Sequence, residues 1–504
     1  MKKSLLALSA LTITTVGSLF AQTRYCEEVF STVNITDSVV YATNKIYFPF
    51  PSGIPPLGNL YLELYQPEGD TAQARPLAIV LHTGSFLPQP YNQGVTGSRK
   101  DSNVVETCKR FARRGFVAAA VSYRLGWNPL TTDQDVRTST LLKAVYRAVQ
   151  DARTSVRFFR KDAATSNNYK IDPNKIIILG FGSGGYISLA AATLDKWEEV
   201  TLPKFLDGNT GAPYVDTTIM GNFWGFGGNP DYNVENHVGY SSDINMIINA
   251  GGALGDSTWL EAGDAPMVCF HVPGDPFAPY TEGMVIVPTT GGNVVYVSGS
   301  YDVILRCNNP TYGNNNAIFN NPPFTDALTA KANTMNNGYE GMYPFYTLNP
   351  ASQAGVWDWW DPANAVAKWG QGTVDNALLT NPDMSKDKGM AYLDTIFGYS
   401  MPRIVRVFGL NDCPGSTSIA ENNAKTTTKI FPNPTVDMIN ASTAAGKGII
   451  TEVSIYDNAG RLVKQVSNLR NQEYSLNVKG LSKGVYQMQV STTIGKSSHQ
   501  LIIE

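Results

Sequence analysis

Apolar residues follow two different patterns in the two parts of the chain. From about residue 60 to residue 409, short continuous apolar runs alternate with stretches whose apolar residues recur at helical spacing. A continuous run is typical of a strand buried on both faces by helices. This region therefore predicts an α/β domain with a doubly wound, mostly parallel sheet. The predicted strands are Leu77–Leu81, Val117–Val121, Ile176–Leu179 and Met267–Phe270, and a crossover helix is predicted over Leu141–Arg160.

The last part of the chain, residues 429–504, has short runs in which apolar and polar residues alternate, separated by glycine-containing turns. Strict alternation is typical of strands with one buried and one solvated face. We therefore predict a small antiparallel β-sandwich. The polar stretch at residues 411–428 has no apolar periodicity, which indicates a linker between two domains.

The first 21 residues have the form of a secretion signal, with two lysines, a short apolar stretch and a small residue, Ala21, before the expected cleavage point. The mature chain is then expected to begin at Gln22, with residues 22–59 as an N-terminal extension of a large domain at 60–410. A membrane-anchoring helix is the alternative, but the stretch is short and contains Ser and Thr. No later stretch is long and apolar enough to predict a membrane span.

Composition narrows the function classes. The 504 residues carry 39 Lys and Arg against 42 Asp and Glu, and no basic run interleaved with aromatic residues occurs, so we expect no nucleic-acid partner. The five cysteines match no CxxC or Cys/His spacing. We therefore expect no metal and no cofactor, and instead one or two disulfides of unassigned pairing with a leftover thiol.

Four motifs in the C-terminal part resemble the sorting domains that the type IX secretion machinery recognises. They are Phe431–Pro434, Tyr456–Arg461, Leu481–Tyr486 and Leu501–Glu504. The resemblance implies export through the periplasm and across the outer membrane, removal of the domain, and either release or attachment to surface lipopolysaccharide. A carbohydrate-binding or adhesive β-sandwich is the alternative, because such modules have similar strand patterns.

The large domain resembles the α/β-hydrolase fold, most closely its carboxylesterase-like branch. Five segments fall in the order of that fold: His82–Phe86, Tyr123–Gly126, Gln150–Arg153, Gly180–Gly185 and Gly274–Tyr280. The resemblance implies an oxyanion loop in the first segment, a nucleophile elbow in the fourth and a catalytic acid, Asp275, in the last.

The expected nucleophile is missing from the elbow. In the pattern G-x-S-x-G, glycines at Gly180 and Gly184 place Gly182 at the nucleophile position, where no hydroxyl is present. Glycine adopts the strained elbow conformation without a steric cost, so this loss is structurally easy. The alternative register makes Ser183 the nucleophile but places Phe181 where a glycine is expected.

The histidines also fail to match a catalytic triad. The resemblance implies the order nucleophile, acid, base, but the one histidine after Asp275 is His499, in the sorting domain. We expect Tyr343 at the base position, and a phenol with a pKa near 10 is a poor base at neutral pH. Asp275 itself is then interpreted as a turn residue, because Gly-Asp-Pro is common in turns.

Several further residues are candidates for ligand contacts. The resemblance implies oxyanion-like donors among His82, Thr83, Gly84 and Ser183. Three tryptophans, Trp357, Trp359 and Trp360, lie close together beside carboxylates, a composition that suits sugar stacking but also ordinary packing.

The leading hypothesis is a secreted or cell-surface α/β-hydrolase-fold protein that is catalytically inactive and acts in binding, adhesion or surface assembly. The first alternative is a carboxylic-ester hydrolase that uses Ser183, with His237 reaching in from an insertion. A peptidase-like relative with the same defects is the second.

The two ends of the chain predict its processing. Because both resemble targeting signals, the form recovered outside the cell is expected to begin at Gln22 and to lack residues 429–504. Intact-mass measurement of the secreted protein tests this. Recovery of a chain that retains the β-sandwich would favour the adhesive interpretation of that domain.

Overall fold

The computed structural model describes residues 24–48, 53–89, 91–287, 291–348, 350–410, 413, 428–443, 448–457, 461–493 and 495–504. The predicted signal peptide lies outside these residues, as does the predicted linker except for Cys413 and Thr428. The described residues form two compact units, one within residues 1–319 and 331–414 and the other within residues 320–330 and 415–504.

The larger unit is built on one eight-stranded sheet with the strand order β1-β2-β4-β3-β5-β6-β7-β10. The first two strands are antiparallel to their neighbours, and the sheet is parallel from β4 to β10. A separate hairpin pairs β8 with β9. The strands are β1 (Val33–Lys45), β2 (Leu57–Pro67), β3 (Arg75–Leu81), β4 (Val117–Val121), β5 (Ile171–Phe181), β6 (Met246–Ala250), β7 (Met267–His271), β8 (Gly283–Ile286), β9 (Asn293–Val297) and β10 (Met342–Pro344).

Helices cover the sheet and bury its central strands. Every residue of β3, β4, β6 and β7 is buried, as their continuous apolar runs predict. The predicted doubly wound sheet and crossover helix are therefore confirmed. The helices are α1 (Ser102–Arg113), α2 (Gln134–Ala164), α3 (Ser183–Thr193), α4 (Trp197–Val200), α5 (Thr217–Met220), α6 (Ser300–Cys307), α7 (Ala327–Asn333), α8 (Pro362–Trp369), α9 (Gln371–Leu378) and α10 (Lys386–Val407).

The sheet begins on the N-terminal side of residue 60, where the sequence pattern places the start of the large domain. Strand β1 lies at the sheet edge and leaves most residues of its first half exposed, so its sequence lacks a continuous apolar run. A disulfide between Cys26 and Cys413 joins the two ends of this unit. The remaining cysteines, Cys108, Cys269 and Cys307, are free and buried.

A buried ion pair connects the segment after β4 to α2. Arg124 contacts Asp151 at 2.8 Å, and both side chains are only 1% exposed. The Arg124 backbone N–H also donates to the Asp151 carboxylate at 2.8 Å. Breaking such a pair leaves an uncompensated buried charge, typically at a cost of about 3–5 kcal/mol. Two of the five segments that carry the α/β-hydrolase resemblance thus contact each other.

The smaller unit contains two antiparallel sheets, ordered β11-β12-β15 and β14-β13-β16-β17. Alternate residues enclose an apolar core that includes Val453, Met488 and Leu501. This arrangement agrees with the predicted β-sandwich. Its strands are β11 (Thr428–Phe431), β12 (Met438–Thr443), β13 (Ile450–Tyr456), β14 (Leu462–Asn471), β15 (Glu473–Asn477), β16 (Gly484–Thr492) and β17 (Gly495–Ile503).

Within the described ranges, none of the helices combines the length and hydrophobicity needed to cross a bilayer.

Candidate functional site

The turn between β5 and α3 has the backbone geometry expected of a nucleophile elbow. Gly182 is the single residue between strand and helix, with φ 52° and ψ −116°. Its N–H donates to the carbonyl oxygen of Ala250 on β6 at 2.8 Å. This region of φ/ψ space is strained for any residue with a side chain. Glycine therefore holds the sharp turn at no steric cost.

Neighbouring glycines are required by crowding. A Cβ atom added to Gly180 would lie 1.9 Å from the carbonyl oxygen of Gly184, and one added to Gly184 would lie 2.5 Å from that of Leu81. Neither distance leaves room for a side chain. These two positions match the first and last glycines of the G-x-S-x-G pattern, with residue 182 between them.

The space that a side chain at residue 182 would enter is occupied by Thr83. A Cβ added to Gly182 would lie 2.2 Å from Thr83 Oγ1 and 3.0 Å from Thr83 Cβ. Thr83 belongs to the loop after β3, so its hydroxyl reaches the elbow from a different part of the chain.

The Ser183 hydroxyl faces a tyrosine. Ser183 begins α3 and is buried, and its Oγ lies 3.0 Å from the Tyr123 hydroxyl, which donates to the His82 carbonyl oxygen at 2.9 Å. Since the phenol has one proton, Ser183 is the donor in their mutual hydrogen bond. Burial raises the pKa of Tyr123, so the phenol is neutral. It therefore does not act as a base toward Ser183.

No histidine reaches this turn. His82 stacks on Tyr123 with ring centroids 4.4 Å apart, and burial lowers its pKa to about 4. Both ring nitrogens of the buried His271 are occupied, by Ser300 Oγ at 2.6 Å and the Ala278 carbonyl at 3.0 Å. His237 Nε2 bonds the carbonyl oxygen of Tyr41 on β1 at 2.6 Å, so the structure does not bring it to Ser183.

The fourth histidine lies in the smaller unit. His499 Nε2 contacts Thr428 Oγ1 at 2.9 Å, and both residues belong to the β-sandwich. All four histidines of the chain are within the described residues, and none is among those that line the cavity at the elbow.

A cavity of about 170 Å³ opens beside Gly182. Its polar lining residues include Thr83, Ser183, Asp275 and Asp358. The remaining lining residues are mainly apolar. They include Phe86, Trp127, Phe205 and Trp259, together with Val295 and Val297 of the β8–β9 hairpin. A pocket with an apolar body and a few convergent polar groups is typical of small-molecule sites. We call it the elbow cavity.

Asp275 lies in the loop after β7 and faces the elbow cavity. One of its oxygens, Oδ1, accepts the backbone N–H groups of Phe277 at 2.7 Å and Ala278 at 3.0 Å, as expected of a turn residue. Burial raises the pKa of Asp275 to about 7, against the smaller opposing effect of these hydrogen bonds. The cavity therefore contains a carboxyl group that titrates near neutral pH.

Tyr343, the residue expected at the base position, does not reach the elbow cavity. It lies within β10 in register with Phe270 of β7, and its ring packs 5.3 Å from Phe345 and 5.2 Å from Tyr399. A core strand of three residues, too short to recognise in the sequence, accounts for this position. Of the described titratable residues that follow Asp275 in the chain, Asp358 is the one that lines the cavity.

The three clustered tryptophans do not share one surface. Trp357 is buried and forms part of the elbow cavity wall. Its ring centroid lies 5.7 Å from that of Phe181. Trp360 lines a second cavity of about 150 Å³. Trp359 packs so close to Gly389 of α10 that a Cβ there would lie 2.3 Å from the indole. The geometry therefore separates the residues of the suggested sugar platform.

The residues expected as oxyanion-like donors are also distributed. Thr83 and Ser183 line the elbow cavity together, whereas Gly84 lines the second cavity. The His82 ring is buried, and its Nδ1 lies 2.5 Å from the Thr83 carbonyl oxygen. The first N–H groups of a helix lack intrahelical partners, so the amide of Ser183 remains available to a ligand.

Two family models match the chain. Residues 62–286 match BD-FAE, an α/β-hydrolase-like esterase domain, and residues 429–504 match the secretion system C-terminal sorting domain. The chain combines an esterase-like domain with a type IX secretion sorting domain. The esterase match includes the elbow and Asp275 and ends before Asp358.

The sorting domain determines where the protein is found. It indicates handling by the type IX secretion machinery and export through the periplasm. The protein is therefore secreted or attached to the outer cell surface.

Solved esterase structures from Thermogutta terrifontis resemble the chain. Esterase 2 with bound propionate is 17% identical, covering 71% of this chain and 96% of its own, with a TM-score of 0.32. The form phosphorylated by paraoxon is 19% identical, covering 50% and 74%, with a TM-score of 0.30. No curated protein matches the chain. The assignment of the esterase-like domain therefore rests on the family match and on its own sheet topology.

Crowding at the elbow predicts a coupling between Gly182 and Thr83. In Gly182→Ala, the strained backbone and the overlap with Thr83 are expected to lower the free energy of unfolding by about 2–4 kcal/mol. Adding Thr83→Ala removes the nearest atom, Oγ1, and should recover about 1 kcal/mol. A double-mutant cycle with denaturant measures this. Strictly additive effects would contradict the contact.

Burial of Asp275 predicts a pH-dependent stability. The folded pKa of about 7 exceeds the unfolded value near 3.9, so the folded state retains a proton that the unfolded state loses. The contribution of Asp275 to the free energy of unfolding therefore falls as pH rises from about 4 to about 7. Asp275→Asn should remove this fall.

The eight tryptophans all lie between residues 127 and 369, so their fluorescence during denaturation follows the esterase-like domain alone. Asp361→Asn, at an exposed position, is the control and should run parallel to the wild type. A parallel curve for Asp275→Asn as well would show that this carboxyl is not perturbed.

Proposed function

We propose that the exported esterase-like domain binds a small molecule in the elbow cavity and does not hydrolyse esters. The observation that carries this proposal is Gly182. It has the backbone conformation of a nucleophile elbow but no hydroxyl, so the acyl-transfer step lacks its expected attacking atom.

The neighbouring hydroxyls support the same conclusion. Acyl transfer needs a base within hydrogen-bond reach of the nucleophile. The Ser183 hydroxyl donates a hydrogen bond to the neutral Tyr123 hydroxyl, and no histidine lines the cavity. Thr83 exposes a hydroxyl at the elbow, but it has no hydrogen-bonded base among the described residues. The hydrolase that uses Ser183 with His237 is therefore the weaker candidate.

The cavity itself favours binding over a purely structural role. An apolar pocket with a few polar groups is the usual form of a small-molecule site, and adhesion through the surface of the domain does not require one. We accordingly favour ligand capture among the binding, adhesive and assembly roles considered for an inactive hydrolase fold.

The proposal also covers where the protein acts after export. We propose that the sorting domain is removed after export and that the esterase-like domain is then released or attached to surface lipopolysaccharide. Removal of the sorting domain would leave the disulfide between Cys26 and Cys413 intact, because both cysteines precede residue 429.

Absence of hydrolysis can be tested on the full chain. We expect no turnover of p-nitrophenyl acetate or butyrate above an inert-protein control, and no labelling by a fluorophosphonate probe. Gly182→Ser should also remain inactive, because the added side chain meets Thr83 and the base is still missing.

Peptide mapping of any labelled residue decides between the alternatives. Stoichiometric labelling at residue 183, abolished by Ser183→Ala and weakened by His237→Ala, would establish the ester hydrolase instead. Labelling at residue 83, abolished by Thr83→Ala, would identify a displaced nucleophile and would equally overturn the proposal.

A further inference from the structure

The carboxyl group of Asp358 is buried without adequate hydrogen bonds. The residue is 7% exposed, and its Oδ1 is buried with no hydrogen-bond partner in the described part of the chain. Its other oxygen, Oδ2, has one distant partner, Thr96 Oγ1 at 3.5 Å. Buried polar groups in native proteins are almost always hydrogen-bonded. Asp358 lines the elbow cavity, so a ligand bound there can contact this carboxyl group.

Among the described residues, no positively charged side chain acts directly on the Asp358 carboxyl. The charged group that faces it is Asp101, from the start of α1, and Lys368 of α8 acts on Asp101. Burial, reinforced by the like charge of Asp101, raises the pKa of Asp358 well above its ordinary value. Burial therefore favours the neutral form of this carboxyl in the free protein.

The rest of the cavity lining is acidic rather than basic. It contains a second carboxyl, Asp275, which acts electrostatically on the Tyr186 hydroxyl. The described residues that line the elbow cavity or the second cavity include no Lys, Arg or His. An anionic ligand would find no counter-charge there, and its desolvation would not be compensated. The rings of Trp127, Phe205 and Trp259 instead offer aromatic faces.

We propose that the elbow cavity binds a primary ammonium ion carried on an apolar aryl-alkyl body, with the Asp358 carboxylate as its ionic partner. This inference rests on the proposed function, because it names the ligand class of the same cavity.

A cation fits these groups better than a neutral ligand does. An ammonium N–H can donate to the Asp358 carboxylate, and its charge favours the ionised form of the acid. On binding, the Asp358 carboxyl releases its proton to the buffer and pairs with the ligand's ammonium group. The apolar body is buried in the aromatic part of the cavity. Binding is therefore coupled to proton release, and the affinity rises with pH as long as the free carboxyl remains protonated.

Calorimetric titration of the full chain with three matched probes tests the charge selection. We expect 2-phenylethylammonium to bind, neutral 2-phenylethanol to bind at least about tenfold more weakly, and anionic 3-phenylpropionate not to bind. Equal affinities for the ammonium ion and the alcohol would overturn the proposal, as would the absence of binding by any probe.

The proton balance tests the role of Asp358. At pH 7, the binding enthalpy of the ammonium probe should vary with the ionisation enthalpy of the buffer in the direction of proton release. Asp358→Asn should weaken binding about tenfold or more. It should also reduce the number of protons released on binding by the number that residue 358 contributes.

Asp361→Asn provides a matched control three residues along the same segment. Asp361 is exposed and caps α8 by accepting the Asn364 N–H at 2.8 Å, a role that asparagine can also perform. The control should bind like the wild type. Unchanged affinity and unchanged proton release in Asp358→Asn would overturn the proposal.

The proton count of the wild-type protein keeps the test decisive if Asp358→Asn does not fold, since binding without proton release contradicts the mechanism by itself. Ester hydrolysis measured on the same sample separates the two proposals. Hydrolysis together with ammonium selectivity would overturn the proposed function and leave the present inference standing. Absence of both hydrolysis and ammonium selectivity would overturn the present inference and leave the proposed absence of hydrolysis standing.

Discussion

Backbone packs directly against backbone where α3 meets the sheet, and the site depends on this contact. Side chains are excluded at Gly180 and Gly184, and a Cβ at Gly185 would lie 2.2 Å from Asn249 Oδ1. The helix can approach the ends of β3, β5 and β6 this closely only without Cβ atoms. Residue 182 is then held in its positive-φ conformation by the surrounding elements.

Because of this close packing, the backbone of the site has the shape of a nucleophile elbow although the catalytic hydroxyl is absent. Glycine at position 182 preserves the elbow geometry and removes the strain that a serine would impose. Thr83 occupies the space beside residue 182, and Asp275 and Asp358 supply the carboxyl groups of the cavity. A scaffold of the esterase type can thus keep a pocket whose polarity differs from that of a Ser-His-Asp site.

The sequence was informative where one face or both faces of an element are uniformly buried. The apolar runs of β3, β4 and β7 predicted their strands to within two residues, and the glycine spacing located the elbow. Contacts between residues that are far apart in the chain could not be predicted. Three residues of β10 carry no periodicity, so Tyr343 could not be assigned to a strand, and Asp358 could not be placed in the cavity. The pairing of Cys26 with Cys413 spans 387 residues and has no local signal.

That disulfide also changes how the domain would respond to cutting and pulling. Residues 26 to 413 form one covalent ring, so a protease that cuts a single surface loop between them leaves both fragments attached. Tension applied from outside the ring, at points before residue 26 and after residue 413, is transmitted through the sulfur–sulfur bond and bypasses the sheet. For a protein exposed outside the cell, the esterase-like domain is thereby shielded from mechanical unfolding along its own chain.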